Sequence, residues 1–122
     1  SIPFIVALEG ELGSGKTTLI RGIARSFGIK RVKSPTFTII QRYENSVSFY
    51  HVDLYRISDA EELIPLGLFD ILYSFEAMVV IEWAEKVKNY LPEKTIFVKI
   101  SIEGRGKRKF TILTPESRKF KI

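Results

Sequence analysis

The chain has 122 residues, a length that fits one globular domain. Hydrophobic residues make up 45% of it and charged residues 27%, and no run of about 18 apolar residues occurs, which excludes a membrane-spanning helix. The absence of cysteine excludes disulfides, thiolate nucleophiles and thiolate metal sites, and the formal net charge is +5.

The first quarter of the chain predicts a buried strand followed by a helix. Residues 3–8 form a continuous apolar run, which is typical of a strand that is buried on both faces. After three glycines, residues 17–27 carry apolar side chains at helical spacing, and Gly28 is a suitable helix stop.

The rest of the chain alternates predicted strands and helices. Residues 34–36 (Ser-Pro-Thr) are typical of a loop, and residues 38–43 and 47–52 predict a β-hairpin. Further elements are a helix over 59–72 broken by Pro65 and Gly67, a buried strand over 77–83, a short helix over 84–91, and strands over 95–102 and 110–113. This order predicts an α/β fold with a mixed, mainly parallel central sheet flanked by helices, in which the hairpin and the C-terminal strands are antiparallel.

The turn between the first strand and the first helix matches a phosphate-binding pattern. Gly10, Gly15, Lys16 and Thr17 satisfy G-x-x-x-x-G-K-[ST], and the strand before them and the helix after them are the context that the pattern requires. Glycines allow backbone N–H groups to point at phosphate oxygens, and the helix N-terminus adds partial positive charge. In this pattern the lysine reaches the β- and γ-phosphates and the hydroxyl of Thr17 ligates Mg²⁺. The alternative is a glycine-rich turn without a ligand.

Two acidic residues are candidates for the metal and the chemistry. Asp53 and Glu82 each close an apolar strand, where P-loop proteins carry the acid that serves the metal. Either one could instead be a surface or capping carboxylate. No Asn-Lys-x-Asp segment of the guanine-specific type occurs, which favours ATP.

Four segments together resemble one known family. They are GELGSGKTT (10–18), SPTFT (34–38), HVDLYR (51–56) and EWAE (82–85). In this order they resemble the TsaE family, also called YjeE, over residues 4 to about 110. The resemblance implies a cytoplasmic, single-domain P-loop ATPase that works with TsaB and TsaD, which attach threonylcarbamoyl to adenosine in tRNAs reading codons that start with A. It further implies that ATP hydrolysis resets this complex, and that tRNA contacts are indirect.

The resemblance also implies roles for individual residues. The nucleotide would be bound by Leu12, Gly13, Ser14, Gly15, Lys16, Thr17 and Thr18, with Trp83 nearby. Mg²⁺ would be held by Thr17 and Glu82, with Asp53 close to the metal and the attacking water, and Thr36 would sense the γ-phosphate. His51, Tyr55 and Arg56 belong to a motif whose separate roles are not assigned. His51, Arg56 and Trp83 could each have a purely structural role instead. Separately, Arg105 lies in a glycine-flanked turn and is a candidate for contacting the nucleotide, against the alternative of plain surface charge.

The chain departs from the family's usual pattern near its start. Family members usually carry a helical segment before the first strand that helps to hold the base, and here almost nothing precedes Pro3. We therefore expect either a truncated chain or a short member, with an ATPase domain over 1–114 and a basic tail over 115–122. Glu11 and Ser14 replace the usual Asp and Ala, both at variable positions of the cradle.

Positive charge is concentrated near both ends of the chain. Residues 21–33 contain five basic residues and no acidic one, and residues 104–122 carry a net charge of +6. Such clusters favour polyanions, which predicts contact with the partner complex or its tRNA, whereas solvated surface is the alternative. Two other functions stay open: a small P-loop kinase, and a nucleotide-gated interaction module without significant turnover.

Overall fold

Six strands form a single sheet in the computed structural model, which describes residues 5–11, 14–32, 39–44, 48–74 and 76–115. The strands are β1 (Ile5–Gly10), β2 (Ile40–Glu44), β3 (Ser48–Asp53), β4 (Ala77–Glu82), β5 (Ile96–Gly104) and β6 (Lys107–Leu113). The helices are α1 (Lys16–Ser26) and α2 (Leu68–Ser74), and two 3₁₀ segments span Ala60–Leu63 and Ala84–Tyr90.

The sheet is mixed and mainly parallel, as the sequence predicts. Its strand order is β2-β3-β4-β1-β5-β6. The three inner pairs, β3 with β4, β4 with β1 and β1 with β5, are parallel. The two outer pairs, β2 with β3 and β5 with β6, are antiparallel, which confirms both predicted positions of antiparallel strands.

Side chains along the inner strands point alternately to the two faces of the sheet, so each face has its own hydrophobic core. Val6, Leu8, Met78 and Val80 point to the face covered by α1, while their neighbours in sequence point to the face covered by α2 and the 3₁₀ segments. All six residues of β4 are buried, which accounts for its continuous apolar run. The α1 helix packs on the sheet because Ile20 and Ala24 lie one turn apart and are buried against it, with Leu19, Ile23 and Phe27 beside them.

The predicted break of the helix over 59–72 at Pro65 and Gly67 is confirmed, because Pro65 cannot donate a backbone hydrogen bond and Gly67 has a φ of 76°. Two other elements differ from the prediction. The segment Ala84–Tyr90 is 3₁₀ rather than α-helical and bends at Val87, where φ is −127°. Strand β6 begins at Lys107, three residues earlier than expected, since it pairs with β5 directly after a tight turn.

No helix among the described residues is both long enough and apolar enough to cross a membrane. The loop expected at 34–36 and the last seven residues of the predicted basic tail lie outside the described residues.

Candidate functional site

The carboxyl ends of three neighbouring parallel strands meet at one edge of the sheet. Asp53 and Glu82, the last residues of β3 and β4, are register partners, and Leu8 of β1 is the partner of Glu82 on its other side. Because directly opposed residues of parallel strands point to the same face, both carboxylates lie on the α1 side of the sheet. The strand order therefore brings the two predicted acids to the start of α1.

The turn between β1 and α1 needs glycine at two positions for different reasons. A Cβ on Gly10 would lie 2.9 Å from both the carbonyl oxygen of Ile100 and Oγ of Ser14, so the close backbone approach admits no side chain. Gly15 has a φ of 106°, a left-handed conformation that favours glycine. These two positions fix the path of the chain into α1.

The first turn of α1 offers its backbone donors to a ligand. Gly15 occupies the N-cap position and supplies no side-chain hydrogen bond, and the first turn contains no acidic residue. The initial N–H groups of such a helix, together with its dipole, favour an anion. Thr17 and Thr18 are exposed in this turn.

Lys16 is buried to 6% exposure although it carries a charge. Its Nζ donates a hydrogen bond of 2.7 Å to the carbonyl oxygen of Gly10. The same Nζ lies 3.9 Å from the centroid of the Trp83 ring, at cation–π distance. The ammonium has three donors, so the bond to Gly10 leaves two for an incoming phosphate.

Glu82 is held by a buried histidine. Nε2 of His51 lies 2.7 Å from Oε2 of Glu82, and His51 is 2% exposed. Because a carboxylate only accepts hydrogen bonds, this ring nitrogen donates the proton, and Oε1 of Glu82 is left for another ligand. Within the described residues, Nδ1 of His51 has no hydrogen-bond partner.

Asp53 is half-buried beside these groups. Its Oδ1 accepts a 3.0 Å hydrogen bond from the backbone N–H of Tyr55. Burial raises the pKa of Asp53, the neighbouring Glu82 carboxylate raises it further, and the Tyr55 hydrogen bond opposes both effects. His51 and Lys16 also lower the pKa, but the net shift is upward, and perturbed carboxyl groups of this kind cluster at functional sites.

The oxygen donors at this edge fit Mg²⁺. Two carboxylates, of Asp53 and Glu82, and the hydroxyl of Thr17 are hard oxygen ligands. Among the described residues there is no group of three or more His, Cys, Asp or Glu side chains that could bind a metal by itself. Mg²⁺ is commonly bound by one or two carboxylates together with substrate phosphates, which is what this donor set provides.

A groove of about 730 Å³ extends from the phosphate cradle between α1 and the β5–β6 hairpin. At the cradle end it is lined by Ser14, Gly15 and Thr18, and at the hairpin end by Gly106, Arg108 and Phe110. Arg105 lies at the exposed tip of the same hairpin. The groove thus combines an aromatic ring, a guanidinium group and an apolar helix side next to the predicted phosphate site.

Most of the predicted site residues converge on one edge of the sheet. Those at the cradle or beside it are Ser14, Gly15, Lys16, Thr17, Thr18, Asp53, Glu82 and Trp83, while Leu12, Gly13 and Thr36 lie outside the described residues. Tyr55 packs on Trp83, and Arg56 is exposed in the same loop. Sequence reasoning did not single out Lys86, Arg108 or Phe110, because a lone lysine in a short segment and alternating residues of a strand give no signal of the contacts that the fold gives them.

Comparisons with known proteins agree on one family. A family profile described as "Threonylcarbamoyl adenosine biosynthesis protein TsaE" matches residues 2–110. Two similar proteins, each named "tRNA threonylcarbamoyladenosine biosynthesis protein TsaE", come from Treponema pallidum and Bacillus subtilis. The first is 35% identical over 109 residues, or 88% of this chain and 80% of the relative. The second is 40% identical over 109 residues, or 88% of this chain and 67% of the relative. The crystal structure of Bacillus subtilis YdiB matches with a TM-score of 0.75 and 30% identity, covering 96% of this chain and 72% of that one.

Proposed function

Because this chain belongs to the TsaE family of threonylcarbamoyladenosine biosynthesis proteins, we propose that it binds ATP with Mg²⁺ at residues 10–18 and hydrolyses it. The observation that carries the proposal is the convergence of Lys16, Asp53 and Glu82 at the uncapped start of α1. A cation, two carboxylates and free helix N–H groups at one point are the requirements of phosphoryl chemistry.

The phosphates bind at the helix N-terminus, where Lys16 neutralises the β- and γ-phosphates with its two remaining donors. Thr17 and Glu82 would hold Mg²⁺, which would offset phosphate charge. Asp53 orients a water molecule, whose oxygen forms a bond to the γ-phosphorus as the bond to the bridging oxygen breaks. The products are ADP and inorganic phosphate, and Thr36 senses the presence of the γ-phosphate.

The nucleoside occupies the groove between α1 and the β5–β6 hairpin. Phe110 is 52% exposed and faces the α1 side, so its ring is free to stack against a base. Arg108, or Arg105 at the tip, contributes a guanidinium group that stacks on or bonds to the nucleoside.

The hydrolysis serves the partner complex and not an acceptor of its own. We place the protein in the cytoplasm with TsaB and TsaD, where ATP turnover resets the complex during threonylcarbamoyladenosine modification of tRNAs that read codons starting with A. The support for this step is family membership. Contact with tRNA is indirect, through the complex.

The test is ATP hydrolysis by the purified chain with and without TsaB–TsaD, and with Mg²⁺ or a chelator. We expect slow turnover alone and stimulation by the partners, both dependent on Mg²⁺. ATP binding without turnover under every condition would favour a nucleotide-gated module, and phosphate transfer to a small acceptor would favour a kinase. Absence of ATP binding would overturn the proposal.

A further inference from the structure

Lys16 stands at one end of a row of contacts that leads away from the phosphate site. Its Nζ lies 3.9 Å from the centroid of the Trp83 ring. The Trp83 ring in turn packs against the ring of Tyr55, with centroids 5.1 Å apart and planes inclined by 55°. Tyr55 is 55% exposed, so the row runs from the buried cradle to the surface.

The backbone of Trp83 is held in an unfavourable conformation. Its φ and ψ are 59° and 40°, and within the described part of the chain it is the one non-glycine residue with positive φ. A bulky residue adopts this left-handed conformation only when its surroundings impose it, and such positions cluster at functional sites. The location of the indole ring beside Lys16 is therefore maintained against a local conformational cost.

Lys86 connects the two loops that carry these rings. Its Nζ donates hydrogen bonds of 2.6 Å to the carbonyl oxygen of Tyr55 and 2.8 Å to that of Ile57. The same Nζ is 5.9 Å from the centroid of the Tyr55 ring. Since Tyr55 follows β3 and Lys86 follows β4, this side chain fixes the loop after Asp53 to the segment after Glu82.

We propose that Lys86 and Tyr55 are positioning residues that act on Lys16 through Trp83, a role that rests on the proposed binding of a nucleoside triphosphate at the cradle. The Trp83 ring face attracts the ammonium without using its hydrogen-bond donors, so Lys16 is immobilised and still able to bind phosphate. A side chain that is ordered before binding loses less conformational entropy when the ligand arrives. Lys86 and Tyr55 maintain this order by holding Trp83 in its strained position.

The first measurement uses the ligand-free protein, because Trp83 is its single tryptophan. Lys86→Met and Tyr55→Leu are expected to increase quenching of Trp83 fluorescence by acrylamide, and Lys16→Met is expected to change its emission. Lys86→Arg and Tyr55→Phe should restore values near those of the wild type, since each keeps the donor or the ring. Lys88→Met is the matched control: Lys88 lies on the same segment but its Nζ is placed over Phe97, at 5.8 Å.

The second measurement is ATP affinity by calorimetry for Lys86→Met, Trp83→Leu and the double variant. Each single change should weaken binding by about 2- to 10-fold, the range for loss of one pre-ordered side chain. The double variant should bind no more weakly than Trp83→Leu alone, because Lys86 acts through that ring. The positioning role would be overturned if the losses of ATP affinity in the two single variants were additive in the double variant. It would also be overturned if Lys86→Met left both acrylamide quenching and ATP affinity unchanged. Either result would leave the ATP site itself intact. A wild-type protein that does not bind ATP would instead overturn the proposed function.

Discussion

At the scale of single residues, Lys16 is a buried cation whose described contacts are a carbonyl oxygen and an aromatic ring. Lys16→Ala should weaken ATP binding by at least about tenfold, because hydrogen bonds to charged groups contribute about 1.5–3 kcal/mol. The fold should persist, since the sheet core does not depend on this side chain. Calorimetric titration with ATP and a far-ultraviolet circular dichroism spectrum measure the two effects. Equal ATP affinity in wild type and variant would contradict the assignment.

The ionised side chain of Asp53 should lower the stability of the fold while supporting ATP hydrolysis. Its raised pKa means that the folded state binds a proton more readily than the unfolded state. When a chelator removes divalent metal, the free energy of unfolding of the wild type should therefore fall with rising pH. The fall should begin near the pKa of Asp53 in the unfolded state and end near its higher pKa in the folded state. Asp53→Asn should lack this fall and be more stable at neutral pH, while ATP hydrolysis slows by about 100-fold or more. Denaturant unfolding across a pH series checks the first effect, and a variant less stable than wild type at neutral pH would contradict it.

His51 should matter through the carboxylate that it contacts. His51→Phe keeps a ring in the buried position but removes the donor to Glu82, and should weaken Mg²⁺ binding by about 10- to 100-fold, as loss of a ligand-orienting partner commonly does. His51→Gln places an amide donor near the position of Nε2 and should lose less. Calorimetric titration of Mg²⁺ into the ATP complex distinguishes the two variants. If His51→Phe and His51→Gln had identical affinities for Mg²⁺, His51 would have a packing role only.

Pattern and spacing could predict the residues whose chemistry is tied to local sequence. Lys16 follows from the glycine pattern, and Asp53 and Glu82 from their positions at strand ends. Lys86 could not be predicted, because its partners are carbonyl oxygens 29 and 31 residues away that only the tertiary fold brings near. The functional roles of all the site residues stay predictions, and Leu12, Gly13 and Thr36 also lie outside the described residues.

At the scale of elements, apolar runs located the strands but not the exact type of each helix. The run in β4 predicts a strand because all of its residues are buried, whichever face they point to. The 3₁₀ geometry of Ala84–Tyr90 could not be predicted, since apolar spacing indicates which residues face the core but not the winding of such a short segment.

The β5–β6 hairpin should contribute to nucleoside binding. Phe110→Ala should weaken ATP binding by about 5- to 100-fold, because stacking of a base on an aromatic ring contributes about 1–3 kcal/mol. Binding of inorganic triphosphate should not change, as it has no base. Thr111→Ala, on the opposite face of β6, is the control. Competition with a fluorescent ATP analogue measures both affinities in the wild type and the two variants. If Phe110→Ala weakened the binding of ATP and of triphosphate equally, the placement of the base would be contradicted.

At the scale of the whole molecule, several basic side chains are exposed and have no part in the proposed binding of ATP. Arg25, Arg31, Lys107 and Lys109 are all exposed. Reversing these four to Glu should leave ATP affinity unchanged, and should change stability little because exposed ion pairs contribute less than about 1 kcal/mol each. Binding to TsaB–TsaD, with or without tRNA, should weaken and lose its dependence on salt. A salt series of pull-downs is the measurement, and unchanged partner binding would reduce these charges to solvated surface.

The central position of β1 has a consequence for how the protein is made. β1 leaves the ribosome before the other strands, yet its two neighbours in the sheet are β4 (Ala77–Glu82) and β5 (Ile96–Gly104). Pairings so distant in sequence are slow to form, and here they cannot begin until most of the chain has been synthesised. The cradle that follows β1 is thus completed late, and a nascent chain stalled before residue 96 should be open to protease and insensitive to ATP.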